Sequence, residues 1–345
     1  MRRGILAPFL QIPDLDLEVR DSKGRTLLLC ACTTDENWHD HGLRSRSLPS
    51  DVSLLLERGA DIEAVDNEGR NVLYHLLTSR AGDRHVQAHH PSDLDTILAH
   101  PLASQLVVQR DNDGTTSLQH ALKMGQFGAV DALLAKGADP LEADGEGNTA
   151  LHYLAAKAEG EDFINLTFLS RLFEDQPSQA TDSDGRDFSK PSLITSLFTK
   201  FVKFGVDINA RNKAGETCLF GFVCIKEIGV FHIKFFEENG SDFTIVNAKG
   251  EGLLHACAKG GESPARTKRI SQVFEHWDKA KGMVREGAGV KGYKGVNGKA
   301  GLFKWLMEVK DLDPLAEDIE SKSALDVATA SGCTGILELF RTNDN

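Results

Sequence analysis

The stretch DNDGTTSLQHALKMGQFGAVDALLAKGADPLEA, Asp111 to Ala143, decides the fold. A second stretch, DGEGNTALHYLAAKAEG, begins directly after it at Asp144, so the period is 33 residues. Both share a frame: Asp, two variable residues, Gly, one variable residue, Thr, and a Leu two positions later. About 20 residues after that Leu comes a Gly-Ala-Asp turn. A fixed period of this length indicates stacked structural repeats.

The same frame recurs along the chain of 345 residues. Its further copies are DSKGRTLLL at Asp21, DNEGRNVLYH at Asp66, NKAGETCLF at Asn212, NAKGEGLLHACA at Asn247 and DIESKSALDVA at Asp318. The seven copies cover nearly the whole chain, so the repeat governs the architecture.

Each part of the frame predicts a structural task. The Asp-x-x-Gly segment forms a tight turn, and a Thr or Ser then caps a short first helix. These predicted N-caps are Thr26, Thr116, Thr149, Thr217 and Ser323. A second helix with paired leucines follows, and Gly59 and Gly137 stand where a glycine ends such a helix. A helix pair of this kind cannot bury its apolar face alone, so it stacks on its neighbours.

In these features the chain resembles the ankyrin-repeat family, whose signature is Thr-Pro-Leu-His-x-Ala at a 33-residue period. The Pro is absent from every copy, and His stands at its expected place only at His152 and His255. The resemblance implies an all-α ankyrin-repeat solenoid of helix-turn-helix units with short β-turn fingers, in a single domain over residues 1–345. An unrelated helical bundle is the alternative. We expect both histidines to bond neighbouring turn backbone rather than to act in catalysis.

The spacings between successive frames are 45, 45, 33, 68, 35 and 71 residues. The excess falls between the first and second helix of a repeat, which predicts insertions at about 35–50, 79–91, 160–190 and 261–300. The two longest are each close to one repeat in length, so a decayed repeat is the alternative to an insertion. Within the last insertion, Ser263-Pro264 and the apolar residues up to Trp277 predict an additional helix.

The first 20 residues match the second helix and exit of a repeat. ILAPFLQIPDLDLEVRD resembles ILAHPLASQLVVQRD at Ile97. Residues 1–20 are therefore expected to form a half repeat, with the apolar face of Ile5–Leu10 incompletely covered. Either this segment is a degenerate cap, or the chain is part of a longer protein.

Charge and composition limit the partners and the location that the protein can have. The net charge is −12, which argues against nucleic acid as the partner of the whole body. Residues 259–310 are the exception, with twelve Lys/Arg against five Asp/Glu. No run of eighteen apolar residues is present, so no membrane span is expected. Six dilute cysteines in apolar segments fit reduced thiols, which predicts an intracellular, cytoplasmic or nuclear, location.

The stretch GAGVKGYKGVNGKAG, Gly287 to Gly301, contains a literal G-x-G-x-x-G. A dinucleotide fingerprint requires a preceding strand and a following helix, and no strand is expected here. A P-loop requires a hydroxyl after the lysine, but Ala300 follows Lys299. We therefore expect no cofactor, and we expect Gly287 to Lys299 to be a mobile loop that can be deleted without unfolding the stack.

Candidate catalytic and metal-binding residues give little support for an enzyme. Histidines cluster at His39 and His41 and at His85, His89 and His90, but they lack the paired spacings of a zinc site, so no metal is predicted. No nucleophile stands beside a plausible base and orienting group. The sequence therefore predicts a protein without catalytic, metal or cofactor residues.

The resemblance to ankyrin repeats implies a non-enzymatic protein-interaction scaffold that binds another protein through its fingers and first-helix face. Carried over by frame position, the partner-binding candidates are Ser22, Lys23, Arg25, Asn67, Glu68, Arg70, Asn112, Asp113, Thr115, Lys123, Met124, Gly145, Glu146, Asn148, Lys213, Ala214, Glu216, Ala248 and Lys249. One alternative is an acidic or phosphate-bearing partner bound by the basic insertion 259–310. Another is a scaffold for a catalytic domain elsewhere in a larger protein. Nucleic acid along the fingers is not expected, because no basic or aromatic stripe runs along them.

Overall fold

The computed structural model describes residues 15–33, 50–78, 91–158, 193–225, 230–260 and 299–341, together with Ile12. Within these ranges the chain is helical and has no strand, apart from two isolated β-bridges, Arg110–Thr116 and Glu317–Ser323. The predicted all-α class is therefore confirmed. The chain divides into two compact units, Met1–Ala150 (unit 1) and Leu151–Asn345 (unit 2), and each is described by itself. A single domain over residues 1–345 stays a prediction.

Short helices follow one another in unit 1. They are α1 Leu27–Cys32, α2 Asp51–Glu57, α3 Val72–Leu77, α4 Pro91–Ala99, α5 Ala103–Val108, α6 Ser117–Met124 and α7 Val130–Ala135, and a 3₁₀ turn at Phe127–Ala129 leads into α7. The first helices stack in order, because α1 packs on α3 and α3 packs on α6. This is the nearest-neighbour packing that a repeat fold requires.

Unit 2 continues the pattern. Its helices are α8 Ala150–Lys157, which begins at the last residue of unit 1, then α9 Leu193–Lys203, α10 Cys218–Val223, α11 Val230–Glu238, α12 Leu253–Lys259, α13 Lys299–Lys310, α14 Ala324–Ala330 and α15 Thr334–Arg341. The first helices α10, α12 and α14 pack in that order, and the second helix α13 packs on α12 and α15. Buried Phe198, Phe222 and Phe236 join α9, α10 and α11 through ring centroids 5.6 and 4.6 Å apart.

Helix starts follow the predicted caps, with two differences. The hydroxyls of Thr26, Thr116 and Ser323 each accept a backbone N–H of the first helical turn. Thr217 stands at the N-cap position of α10, but its side chain makes no capping bond. In the second repeat Asn71 caps α3 by accepting from Leu73 N at 3.0 Å. An amide therefore replaces the hydroxyl there, as is common at N-caps.

Helix ends and the broken second helix of repeat two have local causes. Gly59 and Gly137 have φ of 84° and 100°, so the predicted left-handed glycines after α2 and α7 are confirmed.

The second helix of repeat two is split into α4 and α5 around His100–Leu102. Pro101 disfavours helical geometry at the residue before it, which ends α4 at Ala99.

The described second helices begin at Asp51, Pro91, Leu193 and Lys299, and the insertions expected before them stay predictions. Most of the inserted residues fall outside the described ranges. So do Ile5–Leu10, the helix expected near Trp277, the clustered histidines (His39, His41, His85, His89 and His90) and the glycine pattern at Gly287.

Lys299 lies within the last expected insertion, about 261–300, and at the end of the loop expected from Gly287 to Lys299. Lys299 is the first residue of α13 and is only 3% exposed. Its Nζ donates to Val223 O at 2.7 Å and to Cys257 O at 2.9 Å, near the C-terminal ends of α10 and α12. Lysine near a helix C-terminus satisfies carbonyls that lack partners within the helix. Lys299 is therefore part of the folded core and not of a dispensable loop.

Candidate functional site

The seven fingers share one hydrogen-bond pattern. Each begins with an Asx residue (Asp or Asn) whose N–H donates to the carbonyl of the residue four positions later, here called the closing residue. In the first finger Asp21 Oδ1 accepts from Lys23 N and from Arg25 N, both at 2.9 Å. The Asx residues are Asp21, Asp66, Asp111, Asp144, Asn212, Asn247 and Asp318, and in all of them Oδ1 accepts from the N–H of the closing residue. The short polar side chain thus sets the finger backbone locally.

Backbone bonds link neighbouring fingers within each unit. In unit 1 Asn67 N donates to Lys23 O at 3.0 Å, and equivalent bonds join the third and fourth fingers to the fingers before them. In unit 2 Ala248 N donates to Ala214 O at 2.8 Å and Ile319 N donates to Lys249 O at 2.9 Å. The tips are therefore held in fixed spacing, although they are exposed.

One position of the first helix joins four of the repeats to the next one. It holds Tyr74, Gln119, His152 and His255, and each contacts the carbonyl of the next closing residue. The Nε2 atoms of His152 and His255 lie 3.0 and 3.1 Å from Glu216 O and Lys322 O. The prediction that these histidines bond turn backbone is confirmed. Sequence reasoning missed Tyr74 and Gln119, because it looked for His alone at this position.

Arginines before alternate Asx residues add a second link between fingers. Arg110 Nη1 lies 2.6 Å from Gly114 O in its own finger and 2.9 Å from Ala143 O before the next one. Arg20 and Arg211 make the same pair of bonds, to Gly24 and Val65 and to Gly215 and Val246. The intervening repeats carry Val or Ala at the arginine position, so fingers are joined two at a time. Sequence reasoning missed this alternation, although the arginines are visible in the frame.

Charge alternates along the base of the fingers in unit 1. Arg25 binds Asp21 with Nη2–Oδ2 at 2.7 Å, and this bond lowers the pKa of Asp21 to about 2. Arg70 contacts Glu68 and places its Nε 3.7 Å from Asp111 Oδ2. Exposed pairs of this kind contribute little stability individually, so their main effect is to orient the fingers.

In unit 2 the residues at the base of the fingers are linked by an amide and two carboxylates instead of by arginine–carboxylate pairs. Asn247 Nδ2 donates to Glu251 Oε2 at 2.8 Å and to Glu216 Oε1 at 3.1 Å, so one amide joins the closing residues of two repeats. Lys259 Nζ lies 2.5 Å from Glu251 Oε1. Burial raises the pKa of Glu251, but the bonds from Lys259 and Asn247 outweigh burial, and the net pKa is lowered.

Buried imidazoles line the first helices of unit 1. Nε2 of His120 lies 3.1 Å from Thr78 Oγ1, and burial lowers the pKa of His120 to about 4. Nε2 of His75 lies 3.1 Å from Asp66 Oδ2 without a well-aligned hydrogen bond. Burial lowers the pKa of His75 more than Asp66 raises it. Both rings are therefore neutral at pH 7, which suits packing more than acid–base chemistry.

The predicted partner-binding residues fall into three groups. The exposed group is Ser22, Lys23, Asn67, Glu68, Asn112, Asp113, Lys123, Gly145, Glu146, Lys213, Ala214, Ala248 and Lys249, and the half-buried group is Arg25, Arg70, Met124, Asn148 and Glu216. Thr115 is only 4% exposed, because it closes the third finger beneath Tyr74. Thr115 therefore does not reach the surface that a partner would contact.

Not every exposed candidate is free to bind. Asn67 Nδ2 donates to Ser22 O at 3.2 Å, and Asn112 Nδ2 donates to Asn67 O at 3.1 Å. These two amides hold adjacent fingers together. Lys23, Glu68, Asp113 and Glu146 are the exposed charged residues at the finger tips of unit 1.

Other chemistry in the described ranges is sparse. No group of three or more His, Cys, Asp or Glu side chains there could hold a metal ion. None of the six cysteines, all of which lie in the described ranges, forms a disulfide. Burial raises the pKa of Cys218 to about 12, which keeps that thiol protonated and unreactive. In the same ranges, no helix combines the length and the apolar character needed to cross a membrane.

Helix pairs joined by Asx turns, and turns joined to one another by backbone bonds, define a helical repeat protein. Residues 118–161 match the family model described as "Ankyrin repeats (many copies)". Human "Transient receptor potential cation channel subfamily A member 1" is 28% identical over 151 residues, which are 44% of this chain and 12% of that protein. These two matches support an ankyrin-repeat family for this chain. Ankyrin repeats are generally protein–protein interaction modules, and the family is typically non-catalytic.

Proposed function

We propose that this chain is a non-enzymatic scaffold that binds a partner protein through its finger tips and first-helix face. The observation that carries the proposal is the contrast within each finger. The backbone is fixed by the Asx side chain and by the neighbouring finger, whereas tips such as Lys23, Asp113 and Lys249 project exposed side chains. A surface ordered in advance loses little conformational entropy on binding.

The test is an affinity capture from cells with cross-link mapping, followed by direct binding measurements on the captured partner. Lys23→Glu, Asp113→Lys and Lys249→Glu should each weaken binding at least about fivefold where the partner covers that tip. Glu57→Lys and Glu238→Lys are matched controls, because both are exposed residues near the ends of second helices, away from the fingers. The proposal fails if cross-links avoid the fingers and all three tip variants bind like the controls.

Binding of an acidic or phosphate-bearing partner by residues 259–310 is a weaker second candidate. Four of the basic residues in this range are already engaged. Lys299 is buried, and Lys259, Lys304 and Lys310 pair with Glu251, Glu308 and Glu237. The remaining basic residues lie outside the described ranges. Steep loss of binding with added salt would favour this candidate over the fingers.

A scaffolding role beside another domain is the third candidate. It is supported by the human channel subunit, where the matched part is 12% of a larger protein. Six cysteines without a disulfide support an intracellular, cytoplasmic or nuclear, location as part of the proposal. Cell fractionation of the expressed full chain tests the location directly.

A further inference from the structure

In unit 2 the ammonium group of Lys310 lies in a three-sided cage. Its Nζ is 4.4 Å from the ring centroid of Phe243, 5.2 Å from the ring centroid of Trp305 and 2.8 Å from Glu237 Oε1. The two rings meet edge to face, with centroids 5.8 Å apart and an interplanar angle of 72°. Two aromatic rings and one carboxylate are the groups with which proteins hold ammonium cations.

Three segments build the cage. Glu237 lies at the end of α11, Phe243 lies in the turn that follows, and Trp305 and Lys310 lie on α13. Phe243 and Trp305 are 6% and 2% exposed, whereas the side chains of Lys310 and Glu237 are 20% and 30% exposed. The cage therefore opens to solvent on the side where the lysine enters. Because its rings are desolvated, attraction to a cation is stronger than at an exposed aromatic.

We propose that Phe243, Trp305 and Glu237 form a binding site for an alkylammonium group, with Lys310 as its resident ligand. An external alkylammonium occupies the site when the lysine side chain is removed or displaced. Because the Lys310 ammonium group is covalently attached to α13, its effective concentration at the site is high. An external ligand therefore competes poorly with it in the unaltered protein. This site is separate from the finger tips and does not rest on the proposed function.

The cage predicts a selectivity that an ordinary ion pair lacks. Glu237 alone would attract any small cation, including sodium. Ring faces instead favour large, weakly hydrated cations such as quaternary ammonium. Selectivity for tetramethylammonium over sodium therefore distinguishes a cage from the Lys310–Glu237 ion pair alone.

The experiment uses the full chain carrying Lys310→Ala, with its fold verified by circular dichroism and thermal unfolding. Tetramethylammonium binding is followed by ligand-observed NMR of the methyl protons at constant ionic strength in sodium chloride. We expect saturable binding at least tenfold tighter than in the unaltered protein, and loss of that gain when Phe243→Leu is added. Lys304→Ala is the matched control, because Lys304 also lies on α13 but pairs with exposed Glu308, at 3.7 Å.

Two further arms define the ligand source. Choline represents a free quaternary amine, and N-acetyl-trimethyllysine amide represents a modified side chain on a partner. Binding of either supports the site, and the tighter of the two identifies the source. A folded Lys310→Ala protein that binds tetramethylammonium no better than Lys304→Ala overturns the proposal.

A measurement on the unaltered protein covers the case in which Lys310→Ala does not fold. The aromatic rings should shift the ε-methylene protons of Lys310 upfield in the proton NMR spectrum. We expect that shift in the unaltered protein and its loss in Phe243→Leu. Ordinary lysine chemical shifts at Lys310 would overturn the proposal.

Discussion

Asn247 and Glu251 lie at the two ends of one finger, with the amide nitrogen of Asn247 2.8 Å from a carboxylate oxygen of Glu251. The pairing follows a rule across the chain. The Asx residue is Asp where the closing residue is Arg25, Arg70, Thr115, Asn148 or Lys322, and it is Asn where the closing residue is Glu216 or Glu251. A carboxylate beside a second buried carboxylate would be repelled, whereas an amide donates to it.

Asn247→Asp should therefore lower the free energy of unfolding of unit 2 by about 2 kcal/mol at pH 7. The new carboxylate would face Glu216 and Glu251 and would lose both amide bonds. Urea denaturation at pH 7 and pH 4 measures the cost, which should shrink in acid as the carboxylates become protonated.

Asn247→Ala is the control for this prediction. It loses the same amide bonds but adds no charge, so its cost should change much less between the two pH values. Equal pH dependence of the two variants would contradict the electrostatic explanation.

Acid should destabilise unit 1 through His120. Its folded pKa of about 4 lies below the ordinary histidine value of 6.5, so the unfolded chain binds a proton first as the pH falls. Stability is fully present above pH 6.5 and falls towards pH 4, by up to roughly 3 kcal/mol.

NMR titration of the His120 ring proton tests this prediction, together with urea denaturation at pH 7 and pH 5. His120→Gln should remove part of the loss of stability between those values. A titration midpoint near 6.5 for His120 would refute the prediction.

Gly137→Val should cost about 1–2 kcal/mol. Gly137 has φ of 100°, and an added Cβ would meet no atom within 4 Å, so the cost comes from backbone strain alone. Gly128→Ala is the matched control, because Gly128 also has open space around it but does not have positive φ. Chemical denaturation should separate the two variants, and equal midpoints would exclude strain at Gly137.

In the glycine-rich stretch, Gly287 to Gly298 should be dispensable for folding, whereas Lys299 should be important for stability. Deletion of Gly287 to Gly298 should leave the helical signal and cooperative unfolding intact. Lys299→Ala should instead cost about 3 kcal/mol, because the buried carbonyls of Val223 and Cys257 lose their ammonium donor. Lys304→Ala, on the same helix but half-buried, serves as control. A neutral Lys299→Ala would mean that water replaces the ammonium group.

Arg110→Ala should loosen the third and fourth fingers without unfolding unit 1. Its guanidinium joins Gly114 O to Ala143 O, and exposed charge-assisted bonds contribute about 1 kcal/mol. Hydrogen exchange should show faster exchange at the amide of Gly145, which bonds Asp113 O. Exposed Lys123→Ala on α6 is the control, and unchanged protection of Gly145 in Arg110→Ala would contradict the proposed link.

The sequence by itself determined the repeat. The period from Asp111 to Asp144, the turn glycines and the caps at Thr26 and Ser323 act through the local backbone, so their consequences can be read without knowing what they pack against. The positive φ at Gly137 follows from the same local frame. The resemblance to the repeat family predicted that His152 and His255 bond turn backbone, although the carbonyls that they contact lie 64 and 67 residues away.

The tertiary structure decided what depends on residues far apart in the chain. The sequence places Lys299 in a loop, because the carbonyls of Val223 and Cys257 that accept its hydrogen bonds are 76 and 42 residues away. The sequence predicts Thr115 as a partner-binding residue, but in the folded chain Thr115 is buried beneath Tyr74. The cage around Lys310 requires Glu237, which lies 73 residues earlier in the sequence. Local pattern specifies backbone geometry, but burial and charge pairing are set by neighbours that only the folded chain brings together.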